Sequence, residues 1–121
     1  MIPKTWFDEE NKVLRIRFFE QWTEDDIPEF FSLINRLLEG RKKRYVLVDL
    51  SDAAPQHYSK EFRRVFAENM GLLSFQKAAV LGANPALRIM AGVLLNIMKG
   101  IKIFEIRYFS NTFDALEWLK K

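Results

Sequence analysis

The chain has 121 residues and a mass of 14.3 kDa, which at roughly 100 to 200 residues per domain predicts one domain over residues 1–121, with a folded surface of about 6,800 Å². Its 49% hydrophobic and 29% charged residues exclude a disordered or low-complexity chain, and a net charge of +3 with both signs interspersed gives no nucleic-acid signature. With no cysteine and a single histidine, a disulfide scaffold, cysteine-ligated zinc, iron–sulfur chemistry and thiol catalysis are excluded, and no cofactor or metal is expected.

Residues 4–7 and 13–19 alternate apolar with charged side chains across the polar stretch Asp8 to Lys12, the pattern of a hairpin with Arg15 and Arg17 on its wetter face. From Ile27 the apolar residues Phe30, Phe31, Ile34, Leu37 and Leu38 recur at helical spacing, and Thr23 with Asp26 resembles a capping pair. Gly40 supplies the left-handed stop. The basic run Arg41-Lys42-Lys43-Arg44 that follows reads as a solvated turn.

Tyr45 to Leu50 is a continuous apolar run ending in Asp49-Leu50, as in a strand buried on both faces of a parallel sheet. A helix follows, with Ser59 as its N-cap, Phe62, Val65, Phe66 and Met70 on its inner stripe and Gly71 at its close. Ala78 to Gly82 is a second buried strand. Asn84-Pro85 then opens a third helix, expected to reach about Lys99. Residues 103–109 form the last strand, and Asn111 or Thr112 begins a terminal helix carrying Ala115, Leu116, Trp118 and Leu119.

The predicted order is β-β-α-β-α-β-α-β-α, an α/β fold with four helices on a mixed, mostly parallel sheet of about five strands. No apolar stretch approaches the roughly 20 residues of a membrane span, since Ala86 to Met98 is broken by Arg88, Gly92 and Asn96. Met1 to Phe7 lacks the pattern of a secretory signal, so a cytoplasmic setting is expected.

This element order, with Val46-Leu47-Val48-Asp49-Leu50-Ser51 leading to a helix capped at Ser59, resembles the STAS fold of anti-sigma-factor antagonists. Gly82-Ala83-Asn84-Pro85 before an apolar helix, then Arg107-Tyr108-Phe109 and Phe113 to Leu119, is similar to the SpoIIAA-like branch grouped near the CRAL-TRIO lipid-transfer domains. The resemblance implies a cytoplasmic bacterial domain that works by binding. In the anti-sigma antagonists an Asp-Ser-Ser-Gly segment carries a serine phosphorylated by a partner kinase; it falls on His57-Tyr58-Ser59-Lys60 here, where only the serine is kept.

Three groups of residues are candidates for function. Ser59 reads first as a helix cap and second as a phosphorylation site, where a helix N-terminus would stabilise added negative charge. Asp49, Ser51, Asp52 and His57 gather at the C-terminal edge of the sheet, where open α/β folds place ligands. A hydrolase reading with His57 as base and Ser51 or Ser59 as nucleophile lacks the glycine-flanked elbow of such enzymes, and Gly40, Gly71, Gly82, Gly92 and Gly100 stand singly rather than in a phosphate loop.

The third helix bears two apolar stripes, Leu87, Met90, Ala91, Leu94 and Met98 on one side and the ridge Ile89, Val93 and Ile97 on the other. The arc exceeds what a sheet alone covers. The ridge is therefore expected to meet a neighbouring helix, a second copy in a homodimer, or an apolar ligand. The functional expectation is a non-enzymatic regulatory or scaffold domain that binds a protein partner, itself dimeric, with a carrier of lipid or another apolar small molecule as the alternative.

Overall fold

The computed structural model describes residues 2–54, 56–70, 74–82, 84–101 and 105–121; within the long third helix the side chains of Met90, Ala91, Leu95 and residues 99–101 are left aside. The elements are β1 (Lys4–Asp8), β2 (Val13–Arg17), α1 (Ile27–Leu38) after a single 3₁₀ turn at Glu24–Asp26, β3 (Tyr45–Asp49), α2 (Lys60–Met70), β4 (Lys77–Leu81), α3 (Pro85–Ile101), β5 (Glu105–Phe109) and α4 (Thr112–Lys120). The predicted order is therefore the observed one. Gly71 and Ile103 lie outside the described residues, and α3 runs two residues past Lys99.

The five strands lie in sequence order, β1-β2-β3-β4-β5, with β1 antiparallel to β2 and every other pair parallel. Because the order never reverses and crossovers share one hand, the three crossover helices are driven to the same face of the sheet. Leu14, Ile16, Val46, Ala78 and Val80 accordingly pack with Ile27, Phe30, Phe31, Ile34, Phe62, Phe66, Leu87 and Leu94 of α1, α2 and α3. The alternate strand residues Val13, Leu47, Ala79 and Leu81 pack on the other face under Ala115, Trp118 and Leu119 of α4. Val46 and Leu47 are both buried, so β3 is covered on its two sides. The solvent-accessible surface, 6,930 Å², matches that of a compact chain of this mass.

The turns follow from side-chain chemistry. Lys12 adopts φ 58° in the hairpin, where the Asp8 carboxylate accepts the Asn11 backbone N–H at 3.0 Å and the Asn11 side-chain amide at 2.9 Å. At the start of the 3₁₀ turn, the Thr23 N–H donates to the Asp26 carboxylate at 2.8 Å. Gly40 takes φ +76° after α1, as a left-handed stop requires. The hairpin ends two residues earlier than the alternation suggested, because Phe18 and Phe19 are adjacent apolar residues that cannot both face the core: Phe18 is half-buried against it and Phe19 is 40% exposed.

Candidate functional site

The loop from Leu50 to Ser59 and the loop from Phe18 to Thr23 meet above the C-terminal ends of β2 and β3. Gln56 joins them, its side-chain oxygen accepting the Trp22 backbone N–H at 3.0 Å while its amide donates to the Trp22 carbonyl. The Ala54 N–H adds a bond to the Phe19 carbonyl at 2.8 Å. This clasp seats Trp22 in the core and fixes where α2 begins. Ser59, directly before α2, accepts the Phe62 N–H on its hydroxyl at 3.0 Å, and its carbonyl takes the Arg63 N–H.

Two surroundings divide the polar residues of this sheet edge. Asp49 accepts the Ser51 N–H at 2.9 Å and lies 3.7 Å from the Arg17 Nε, and Asp52 forms an ion pair with the same guanidinium, which also covers the Phe19 ring. Arg17 therefore organises Asp49, Ser51 and Asp52. His57 belongs elsewhere, in a groove lined by Gln21, Gln56, Tyr58, Arg63, Ala86, Ile89 and Val93. Among the described residues no hydrogen bond joins His57 to Ser51 or Ser59, and no three His, Asp or Glu side chains converge as metal ligands. The sheet also has no reversal of strand order, so it lacks the switch-point crevice in which doubly wound folds hold their ligands.

The ridge on α3 is graded rather than uniform. Ile89 is 75% exposed at the groove's edge, whereas Val93 and Ile97 are half-buried and pack against the core below. A side chain built at Gly92 would meet nothing within 4 Å, which leaves this stretch of α3 open to approach. No carboxylate lines the groove among the described residues, while His57 and Arg63 do.

Beneath the groove lies a second feature, a cavity of about 90 Å³ between the sheet and α1, α2 and α3. Ala78 and Val80 form a shallow floor, and Trp22, Phe30, Phe31 and Phe66 stand around it. The rings meet largely edge to face, with centroids 5.1 Å apart for Trp22 and Phe30 and 5.3 Å for Phe31 and Phe66. A void of this size costs about 2 kcal/mol relative to a filled core. Burial pushes the Tyr58 hydroxyl up from the ordinary tyrosine range, against a smaller downward pull from the Trp22 indole beside it.

The sequence places Arg17 on the wetter face of the hairpin without showing its ion pairs, and it does not single out Trp22. Arg17 meets Asp52 across 35 positions, beyond the reach of any local pattern, and Trp22 stands alone in a polar loop with no periodicity to mark it as core.

Comparison with known proteins places this architecture. The SpoIIAA-like family matches over residues 13–120. Among solved structures, an uncharacterized protein with a SpoIIAA-like fold from Shewanella loihica PV-4 superposes with a TM-score of 0.67 at 20% identity, covering 97% of this chain and 91% of that one. An anti-sigma-factor antagonist (STAS) domain protein from Planctomyces limnophilus superposes with a TM-score of 0.61 at 16% identity, covering both chains fully. No curated protein matches the chain. With nine-tenths of its length matched and the same α/β architecture in both solved structures, the chain belongs to the SpoIIAA-like family.

Proposed function

We propose that the protein is a non-enzymatic, cytoplasmic regulatory domain that recognises an acidic segment of a partner protein, anchored by an apolar side chain, in the groove between the start of α2 and the outer edge of α3. One observation carries the reading: Ile89 stands 75% exposed beside a groove that bears Arg63 and His57 and no carboxylate among the described residues. Burying an isoleucine contributes roughly 1.5 to 3 kcal/mol, which anchors a partner, and the one-signed rim steers an acidic segment and rejects a basic one. The family's fold and its likeness to an anti-sigma-factor antagonist domain support a regulatory role. A homodimer at this surface fits less well, because a two-fold axis through the groove would set Arg63 of each copy against the other. Phosphate on Ser59 would bring about −2 charges to the groove's edge and repel the same acidic segment, which makes the serine a natural off-switch.

Selection from a displayed random-peptide library tests the idea. Recovered peptides should combine Asp or Glu with a large apolar residue, and Ile89→Glu should weaken them at least ten-fold without lowering thermal stability. Peptides with no acidic bias, or unchanged affinity in the variant, would sink the proposal. Sedimentation decides the dimer: self-association abolished by Ile89→Glu would return this surface to a second copy.

A further inference from the structure

The cavity under the clasp differs from an ordinary packing defect in position and lining. Its walls come from β2, β3, β4, α1, α2, α3 and the Trp22 loop, so every layer on that side of the sheet contributes to it. Among the described residues the lining side chains are apolar apart from two polar atoms, the Tyr58 hydroxyl and the Trp22 indole N–H. Trp22 is 2% exposed, and its N–H, although close to Tyr58, completes no hydrogen bond. A buried donor without an acceptor is a standing cost, and two polar atoms are the bare minimum for a buried water, which typically makes about three hydrogen bonds.

We propose that this cavity is a binding site for a small uncharged apolar molecule carrying one hydrogen-bond acceptor, which takes the Trp22 N–H. Size sets the class of ligand. An apolar cavity of about 150 Å³ admits benzene, with its six non-hydrogen atoms, so 90 Å³ limits the occupant to about four, such as a three-carbon ketone or a two-carbon ether. A lipid acyl chain is too large. Phe18, Val48 and Met98 are the half-buried residues of the wall and mark the side from which such a molecule enters. The site is separate from the ridge: Ile89, Val93 and Ile97 do not line it.

Acetone and isobutane, each of four non-hydrogen atoms, are the probes, titrated into the protein and followed by methyl and indole NMR resonances. Both should shift the methyl signals of Ile16, Val46, Val80 and Leu94 saturably, and acetone alone should move the Trp22 indole proton downfield. Ala78→Val, which raises the floor, should weaken both probes at least ten-fold while the protein stays folded by its amide spectrum. Trp22→Phe should erase the preference for the ketone. Ile89→Glu should leave both titrations unchanged, so failure of the groove reading does not touch this one. Absence of saturable methyl shifts in the wild-type protein overturns the site; equal behaviour of ketone and hydrocarbon at the indole overturns the role of Trp22.

Discussion

At the scale of single residues, Asp8 shows how a short polar stretch acquires a definite chemistry. Its carboxylate takes two hydrogen bonds from Asn11 and one from the Arg15 guanidinium at 3.4 Å. The Asn11 side-chain amide is the chief cause that holds the Asp8 carboxyl below the ordinary aspartate range, with its backbone N–H and Arg15 adding to it against the opposing effect of burial. A depressed folded-state pKa means that the unfolded chain binds the proton more readily, so stability rises with pH across the window between the two values. The contribution of Asp8 is therefore fully present above about pH 4 and is lost as pH falls through the folded-state value. The difference in urea stability between wild type and Asp8→Asn should be constant near neutrality and shrink below pH 4; a difference that persists unchanged at pH 2 would show that the turn does not depend on the charge. Gly82 illustrates what a residue can hide. In the sequence it is one isolated glycine, yet it adopts φ +72°, and a Cβ there would lie 2.7 Å from the Ser51 backbone nitrogen. The loop that carries Asp49, Ser51 and Asp52 past the end of β4 requires a glycine at that point.

Among the elements, α3 joins core to surface. Leu87 and Leu94 are buried against the sheet side, Ile89 is in solvent, and Arg88 covers the Tyr108 ring at 4.4 Å. Helical periodicity made the two stripes legible, but which edge stays open depends on where α2 lies, and that is a tertiary fact. The same limit applies to the polar candidates: Asp49, Ser51, Asp52 and His57 are close in sequence, whereas the ion pairs of Arg17 draw Asp49 and Asp52 to one side, Ser51 bonds to Asp49 there, and His57 is left in the groove. Gly92 separates stability from recognition within the helix. Glycine in a helix interior is less favourable than alanine by roughly 0.5 to 1 kcal/mol, and an added methyl meets nothing here. Gly92→Ala should raise stability by about that amount, read by thermal unfolding. If the partner segment lies against this stretch of α3, the more stable variant should also bind the selected peptides more weakly; a loss of stability would mean that the open space over Gly92 is filled in solution.

For the whole molecule, alternation along the central strands is the controlling fact. Val46 and Leu47, Ala78 and Ala79, and Val80 and Leu81 send successive side chains to opposite faces, so the three-helix core and the α4 core are built on the same two strands, β3 and β4. This much was readable, because continuous apolar strands separated by helical stripes admit few arrangements other than a covered parallel sheet. The division of helices, three on one face and one on the other, follows from a strand order that no single strand reveals. Trp118 tests the consequence. It is 8% exposed over the second face, packs against Phe109 at 5.6 Å between ring centroids, and lies under the Lys77 ammonium and the Arg107 guanidinium at 5.1 and 5.2 Å. The Lys77 ammonium also donates to the Trp118 carbonyl at 3.2 Å, tying α4 to β4 through both ring and backbone. Trp118→Ala should cost about 3 to 5 kcal/mol, a large share of the roughly 5 to 15 kcal/mol that stabilises a domain. Because β3 and β4 serve both faces, the loss should appear in one transition, with the far-ultraviolet helix signal and the NMR resonances of Phe66, on the opposite face, sharing a single urea midpoint. If α4 unfolds first while Phe66 keeps its native resonances, the two faces are independent, and the sheet is not the element that couples them.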